Sequence, residues 1–130
     1  MSITTNTEFI FSSELNQSFL QALYEGDILY ASEVFESFLI DTKAELEEIK
    51  KLHLENDVKK IRYKLHKMKP TFGFVGLTAL TEEIELVITF CDKSTDMSDA
   101  EPAFSKLLIQ IENTFPLIEK ELKRMSTHTG

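Results

Sequence analysis

The sequence predicts an all-α fold, an antiparallel four-helix bundle with a short N-terminal helix capping one end, and three observations carry that expectation. Apolar residues recur at intervals of three and four through four long stretches. Chain breakers are scarce, with 4 Gly and 3 Pro in 130 residues, too few for a turn-rich all-β domain. The connections between the stretches are short, and short connections make successive helices antiparallel neighbours. The length suits a single domain over 1–130, with an ordered core over about 9–125 and a polar tail at each end.

Taken in order, the first residues are polar and Thr-rich and are expected to fray. Phe9, Ile10 and Phe11 are apolar enough to tuck this end against the body. Ser12 or Ser13 offers an N-cap for a short helix running to about Tyr24, with Leu15, Phe19, Leu20 and Leu23 inward and Gly26 ending it. Asp27 caps a long second helix with the stripe Ile28, Ala31, Val34, Phe35, Phe38, Leu39, Leu46, Ile49 and Leu52. Asn56 or Asp57 starts a third, with Val58, Ile61, Leu65, Met68, Phe72 and Val75 inward. Gly76 breaks the chain, and a fourth helix follows with Leu77, Leu80, Ile84, Val87, Ile88 and Cys91 inward. The polar run 92–99 is a loop. Ser98 and Glu101 have capping-box spacing for a last helix carrying Phe104, Leu107, Leu108, Ile111, Phe115, Ile118, Leu122 and Met125. Pro116 inside that helix should remove one backbone hydrogen bond and bend the helix.

Charge narrows the function classes. The net charge is −8, which disfavours nucleic acid and anionic membrane as partners of the whole chain. No stretch is apolar for long enough to span a bilayer. The start lacks the basic and apolar regions of a signal peptide. The single Cys91 has no partner for an internal disulfide, so a reducing, cytoplasmic setting is expected. No Glu-x-x-His pair supports a di-iron bundle, and no His/Cys cluster has zinc spacing, so no metal site is expected. No Ser or Cys has the setting of a hydrolytic nucleophile.

One helix breaks the acidic pattern. Lys59, Lys60, Arg62, Lys64, Lys67 and Lys69 all fall on the third helix, and no Asp or Glu occurs from 58 to 81. His66 lies in the middle of that run. It follows the core residue Leu65, so it sits about 100° around the helix from it, at or beyond the edge of the apolar stripe. Its neighbours three and four residues away are Arg62, Tyr63, Lys69 and Pro70, with Gly73 two turns on. Pro70 cannot donate to the His66 carbonyl, and Gly73 leaves bare backbone nearby. Both weaken a helix, Gly by about 1 kcal/mol and Pro by about 3 kcal/mol. Such local rule-breaking beside a special side chain is where function concentrates. The plain alternative is a solvated histidine on a wet, lysine-rich face. His53 near a helix C-terminus, His128 in the tail, the core-facing Cys91, and Glu82, Glu83 and Glu85 on a solvated face all read as structural.

The segment His66-Lys67-Met68-Lys69-Pro70-Thr71-Phe72-Gly73-Phe74-Val75-Gly76-Leu77 resembles the phosphoacceptor segment of histidine-containing phosphotransfer (HPt) domains. The family pattern places an apolar residue two after the His, a Lys three after it, small residues beyond, and an apolar-Gly pair near ten. Met68, Lys69, Gly73, Val75 and Gly76 hold those places, and the helix order is similar from about 13 to 124. Pro70 stands where the family most often has Gly, and Phe72 where a small residue is common. A fainter likeness to the phosphoacceptor helix of sensor kinases fails at Lys67, where that family has an acidic residue. No Gly-rich nucleotide-binding motif accompanies it, so kinase or ATP-binding activity is not expected.

The HPt resemblance implies a phosphorelay intermediate. His66 would accept a phosphoryl group from a receiver-domain aspartate and pass it to another receiver. An imidazole titrates at roughly 6.5, so a neutral, nucleophilic fraction exists near neutral pH. Lys69 would stabilise the phosphoryl charge, as the family lysine does. Arg62, Tyr63, Lys67, Pro70 and Gly73 would form the partner-binding face. The implied partners are response-regulator receiver domains and a sensor or hybrid histidine kinase. Mg²⁺ is expected on the receiver and no cofactor on this chain, which is expected to be a monomer. The alternative from a different class is a non-catalytic helical adaptor, a degenerate phosphotransfer domain that binds the same partners without chemistry.

Overall fold

The computed structural model describes residues 8–129, so residues 1–7 of the expected frayed start, and Gly130, lie outside it. Among the described residues every regular element is a helix: α1 (Gln17–Tyr24), α2 (Ile28–Leu54), α3 (Val58–Phe74), α4 (Thr78–Asp92) and α5 (Glu101–Thr129). No helix is long and apolar enough to cross a membrane among these residues.

Three helices start the same way. Asn16, Asp27 and Asp57 each accept a hydrogen bond from the backbone N–H three residues on, at 3.3, 3.1 and 3.2 Å. Each satisfies one amide that the first turn would otherwise leave without a partner. The short helix therefore begins later than the serines suggest, because Asn16 and not Ser12 or Ser13 caps it. The Ser98–Glu101 capping box does not form either. Asp96 takes both the amide and the hydroxyl of Ser98, at 2.9 and 2.6 Å, and Glu101 turns to His53. The last helix also runs past Met125, through the expected tail, to Thr129, and it stays continuous through Pro116.

The inward stripes of α2, α3 and α4 hold almost residue for residue. Every expected position is buried except Val34, which is half-buried. On α5, Phe104, Leu107, Ile111, Ile118 and Met125 are buried, while Leu108, Phe115 and Leu122 lie at the margin. The short helix agrees only in part, with Leu15 and Leu20 buried as expected. Leu20 and Tyr24, one turn apart, face inward, which turns Phe19 and Leu23 outward to 42% and 41% exposure. At the start, Phe9 and Phe11 are buried and Ile10 points out. Gln21 and Gln17 bond the backbone of this segment, and the buried Glu121 accepts the Ser12 amide at 2.7 Å while pairing with Arg124.

Each long helix packs on two others: α2 on α3 and α5, and α4 on α3 and α5. Cross-links give the directions. Lys43 pairs with Glu119 and Lys50 with Glu112, so α5 descends as α2 ascends. Arg62 pairs with Asp92 and Lys69 with Glu85, so α3 and α4 are opposed as well. Lys64 meets Glu45 while Phe72 meets Phe38 edge to face, which opposes α2 and α3.

The short helix α1 is tied to the α3–α4 corner at both ends. The Asn16 amide donates to the Gly76 carbonyl at 2.8 Å, and the Tyr24 hydroxyl donates to the Phe74 carbonyl at 2.6 Å. Burial, with the nearby Tyr30 as a lesser cause, pushes the Tyr24 phenol up from 10.0 to about 12. A pKa raised in the folded state gives stability that is complete below the unfolded value and is lost as pH rises through the folded one. Urea midpoints are therefore expected to fall between pH 10 and about 12. Tyr24→Phe should flatten that fall and cost about 1 kcal/mol at neutral pH through the lost hydrogen bond. Parallel alkaline curves for the two proteins would refute the assignment.

Candidate functional site

The chain has three histidines, and the fold treats them differently. His53 bonds to Glu101 and packs on the Phe104 ring at 4.8 Å, which joins the end of α2 to the start of α5. His128 stands edge-on to Phe9 at 5.5 Å. His66 is exposed midway along α3, and its side chain has no hydrogen bond, ion pair or ring contact among the described residues.

Its position follows from the stripe. Ile61, Leu65, Met68 and Phe72 are buried against the neighbouring helices and fix the rotation of α3. His66 then projects from the outer face, on the flank turned towards α4. The helix continues through Pro70, so the His66 carbonyl lacks the donor that an ordinary residue at position 70 would supply. Pro70 is itself exposed. Gly73 sits two turns on, and a Cβ built there would meet nothing within 4 Å. Nothing inside the fold requires a glycine at that place, although it weakens the helix.

Four of the six basic residues of α3 are paired with carboxylates, and Lys59 and Lys67 are exposed. Lys60 reaches Asp57 at 3.8 Å, Arg62 holds Asp92 at 2.7 Å, Lys64 holds Glu45 at 3.3 Å, and Lys69 pairs with Glu85. Three of those carboxylates come from α2 and α4. Lys67 remains exposed, with its ammonium over the Tyr63 ring at 5.7 Å, and Tyr63 is itself 59% exposed. The cations on either side of His66 are thus both committed to α4: Arg62 one turn before and Lys69 one turn after. Glu85 and Asp92 are the residues that reading α3 alone overlooks, since Glu85 is not simply part of a solvated face. Their signal is a shared interval. Arg62 and Lys69 are seven apart, and so are Glu85 and Asp92, the spacing at which two opposed helices meet twice. Glu83 is likewise paired, with Lys106 at 3.5 Å.

Cys91 is buried beside this row, and its thiol is pushed up by burial and by Asp92, against the smaller opposite pull of Arg62. A thiol held neutral in this way is a poor nucleophile. A groove of about 330 Å³ lies between α2 and α3, lined by Tyr30, Phe38, Thr71 and Phe74 among others, but His66 is not part of it. His66 is exposed on the outer face of α3. No group of three or more His, Cys, Asp or Glu side chains able to hold a metal occurs among the described residues.

No protein-family model, curated protein or solved structure matches the chain.

Proposed function

We propose that the chain is a phosphorelay intermediate of the HPt kind, an antiparallel four-helix bundle capped by α1, that carries a phosphoryl group on His66 between receiver domains. The observation that carries this reading is the condition of His66: exposed and unengaged, with a lysine one turn along and an open glycine two turns along the same helix. The other two histidines are engaged in packing.

The step balances with the residues present. The lone pair of the neutral His66 ring attacks phosphorus. The P–O bond of the donor's aspartyl phosphate breaks, and its electron pair stays on the aspartate carboxylate. A P–N bond forms, and the second ring nitrogen keeps its proton. Positioning and charge stabilisation dominate such a transfer. Lys69 stabilises the phosphoryl oxygens, and Lys67 adds positive potential at the approach. The exposed Tyr63, Phe74 and Leu86 offer apolar contact near this face. The adaptor reading has one observation of its own: in the resting protein the Lys69 ammonium is occupied by Glu85.

The test mixes the protein with phosphorylated receiver domains and follows acid-labile, base-stable phosphate on this chain. Wild type should gain it. Gly73→Leu should fold with stability within about 1 kcal/mol of wild type, because a Cβ there meets nothing within 4 Å and leucine favours a helix over glycine. The same variant should slow transfer about ten-fold or more by holding the partner off. Normal transfer by Gly73→Leu would remove this face from the docking surface, and no transfer to wild type from a panel of receivers would favour the adaptor.

A further inference from the structure

Lys69 has two anions to serve if His66 carries phosphate, and the fold has supplied one of them already. We infer that Glu85 is a resident counter-ion that the phosphoryl group displaces, so that α4 sets how readily His66 is charged; this rests on the relay reading above.

The observations converge on Glu85. Lys69 lies three residues after His66, so the two side chains leave neighbouring points of one helix face, about 5–6 Å apart at Cβ. The Lys69 side chain is 32% exposed and that of Glu85 51%, so the pair sits at the surface with solvent on one side. An ion pair in that position is weak and exchangeable. It is also the contact that an incoming dianion must weaken, since a carboxylate beside the phosphoryl group repels it while holding the cation that the group needs. The matching pair, Arg62 with Asp92, lies on the other side of His66 and provides an internal comparison of similar exposure.

The pair holds Lys69 on the α4 side while His66 is uncharged, so the ammonium must leave Glu85 before it serves the phosphoryl group. Exchange of one carboxylate for one phosphoryl group keeps the lysine paired in both states. Glu85 is therefore a positioning residue that acts through Lys69, and it takes no part in bond making or breaking.

The experiment compares wild type, Glu85→Gln, Asp92→Asn, Lys69→Ala and the double variant Lys69→Ala/Glu85→Gln. Uptake of phosphate is measured from phosphoramidate, whose P–N bond breaks with release of ammonia, and from one phosphorylated receiver. Glu85→Gln should charge about three-fold faster with an unchanged thermal melt, the size expected for removing one exposed carboxylate from a lysine. Asp92→Asn should stay near the wild-type rate, and the gain should vanish in the Lys69→Ala background. By NMR, the Lys69 Cε and Glu85 Cδ resonances should both move when wild type is charged. Equal or slower uptake by Glu85→Gln, an equal gain in Asp92→Asn, or a gain that survives Lys69→Ala would each overturn the exchange while leaving the relay intact. Failure of wild type to take phosphate from either donor would overturn the relay reading itself.

Discussion

Replacing His66 by Gln is expected to abolish phosphate uptake while leaving the fold untouched. Glutamine keeps a polar side chain of similar reach but offers no nitrogen lone pair, since its amide nitrogen is delocalised into the carbonyl. The His66 side chain is exposed and has no hydrogen bond, ion pair or ring contact among the described residues, so stability should stay within about 0.5 kcal/mol of wild type. Loss should reach background, because the nucleophile is the one group the partner cannot supply. Lys69→Ala should behave differently, slowing uptake about ten-fold and leaving it measurable. In the proposed relay its ammonium would act at the protein surface, where water also screens charge, so the expected effect falls well short of that of a buried oxyanion donor. Radiolabelled transfer together with thermal melts separates the outcomes. Residual uptake by a well-folded His66→Gln protein would place the phosphate elsewhere.

The largest expected loss of stability falls at Gly76, where α3, α4 and α1 meet. Its φ is +78°, a conformation that costs an alanine about 1–2 kcal/mol. A Cβ there would also lie 2.6 Å from Leu20 Cδ1, 3.0 Å from Leu15 Cβ and 3.1 Å from the Asn16 nitrogen. Leu20 is fully buried and has little room to retreat, and the Asn16 amide is the one that bonds the Gly76 carbonyl. Strain and overpacking together should cost Gly76→Ala about 3 kcal/mol. Gly26 gives the control. Its φ is +84° but nothing lies within 4 Å, so Gly26→Ala should pay for strain alone, about 1 kcal/mol. Gly73→Ala, with ordinary helical backbone and open space, should be neutral or stabilising by up to about 1 kcal/mol. Urea denaturation of the three variants reads the order directly. A Gly76→Ala protein as stable as Gly26→Ala would show that α1 is not seated on this turn.

The long helices were legible because their burial pattern is local. A stripe at three and four residues fixes which face is apolar, and α3 shows all of Val58, Ile61, Leu65, Met68 and Phe72 inward. Asp27 and Asp57 were legible for the same reason, since a cap acts within its own first turn. The short helix was legible only in part, since its end at Tyr24 and the burial of Leu15 and Leu20 were read correctly and the outward turn of Phe19 and Leu23 was not. Eight residues hold only about two turns, so Phe19 with Leu23 made as good a stripe as Leu20 with Tyr24. The bonds that chose between them, from Asn16 to Gly76 and from Tyr24 to Phe74, join residues far apart in sequence. The site divides in the same way. The exposure of His66 followed from its offset from Leu65. The neutralisation of Arg62, Lys64 and Lys69 depended on carboxylates of α2 and α4, which no reading of one helix reveals.

Mapping the phosphate after transfer tests the central claim most directly. The protein is charged by a phosphorylated receiver domain, digested at neutral to alkaline pH, and its phosphopeptides sequenced by mass spectrometry. The phosphate is expected on His66 and on neither His53 nor His128. Phosphate on another residue, or none from any receiver with the protein well folded, would contradict the relay and leave the bundle a docking module.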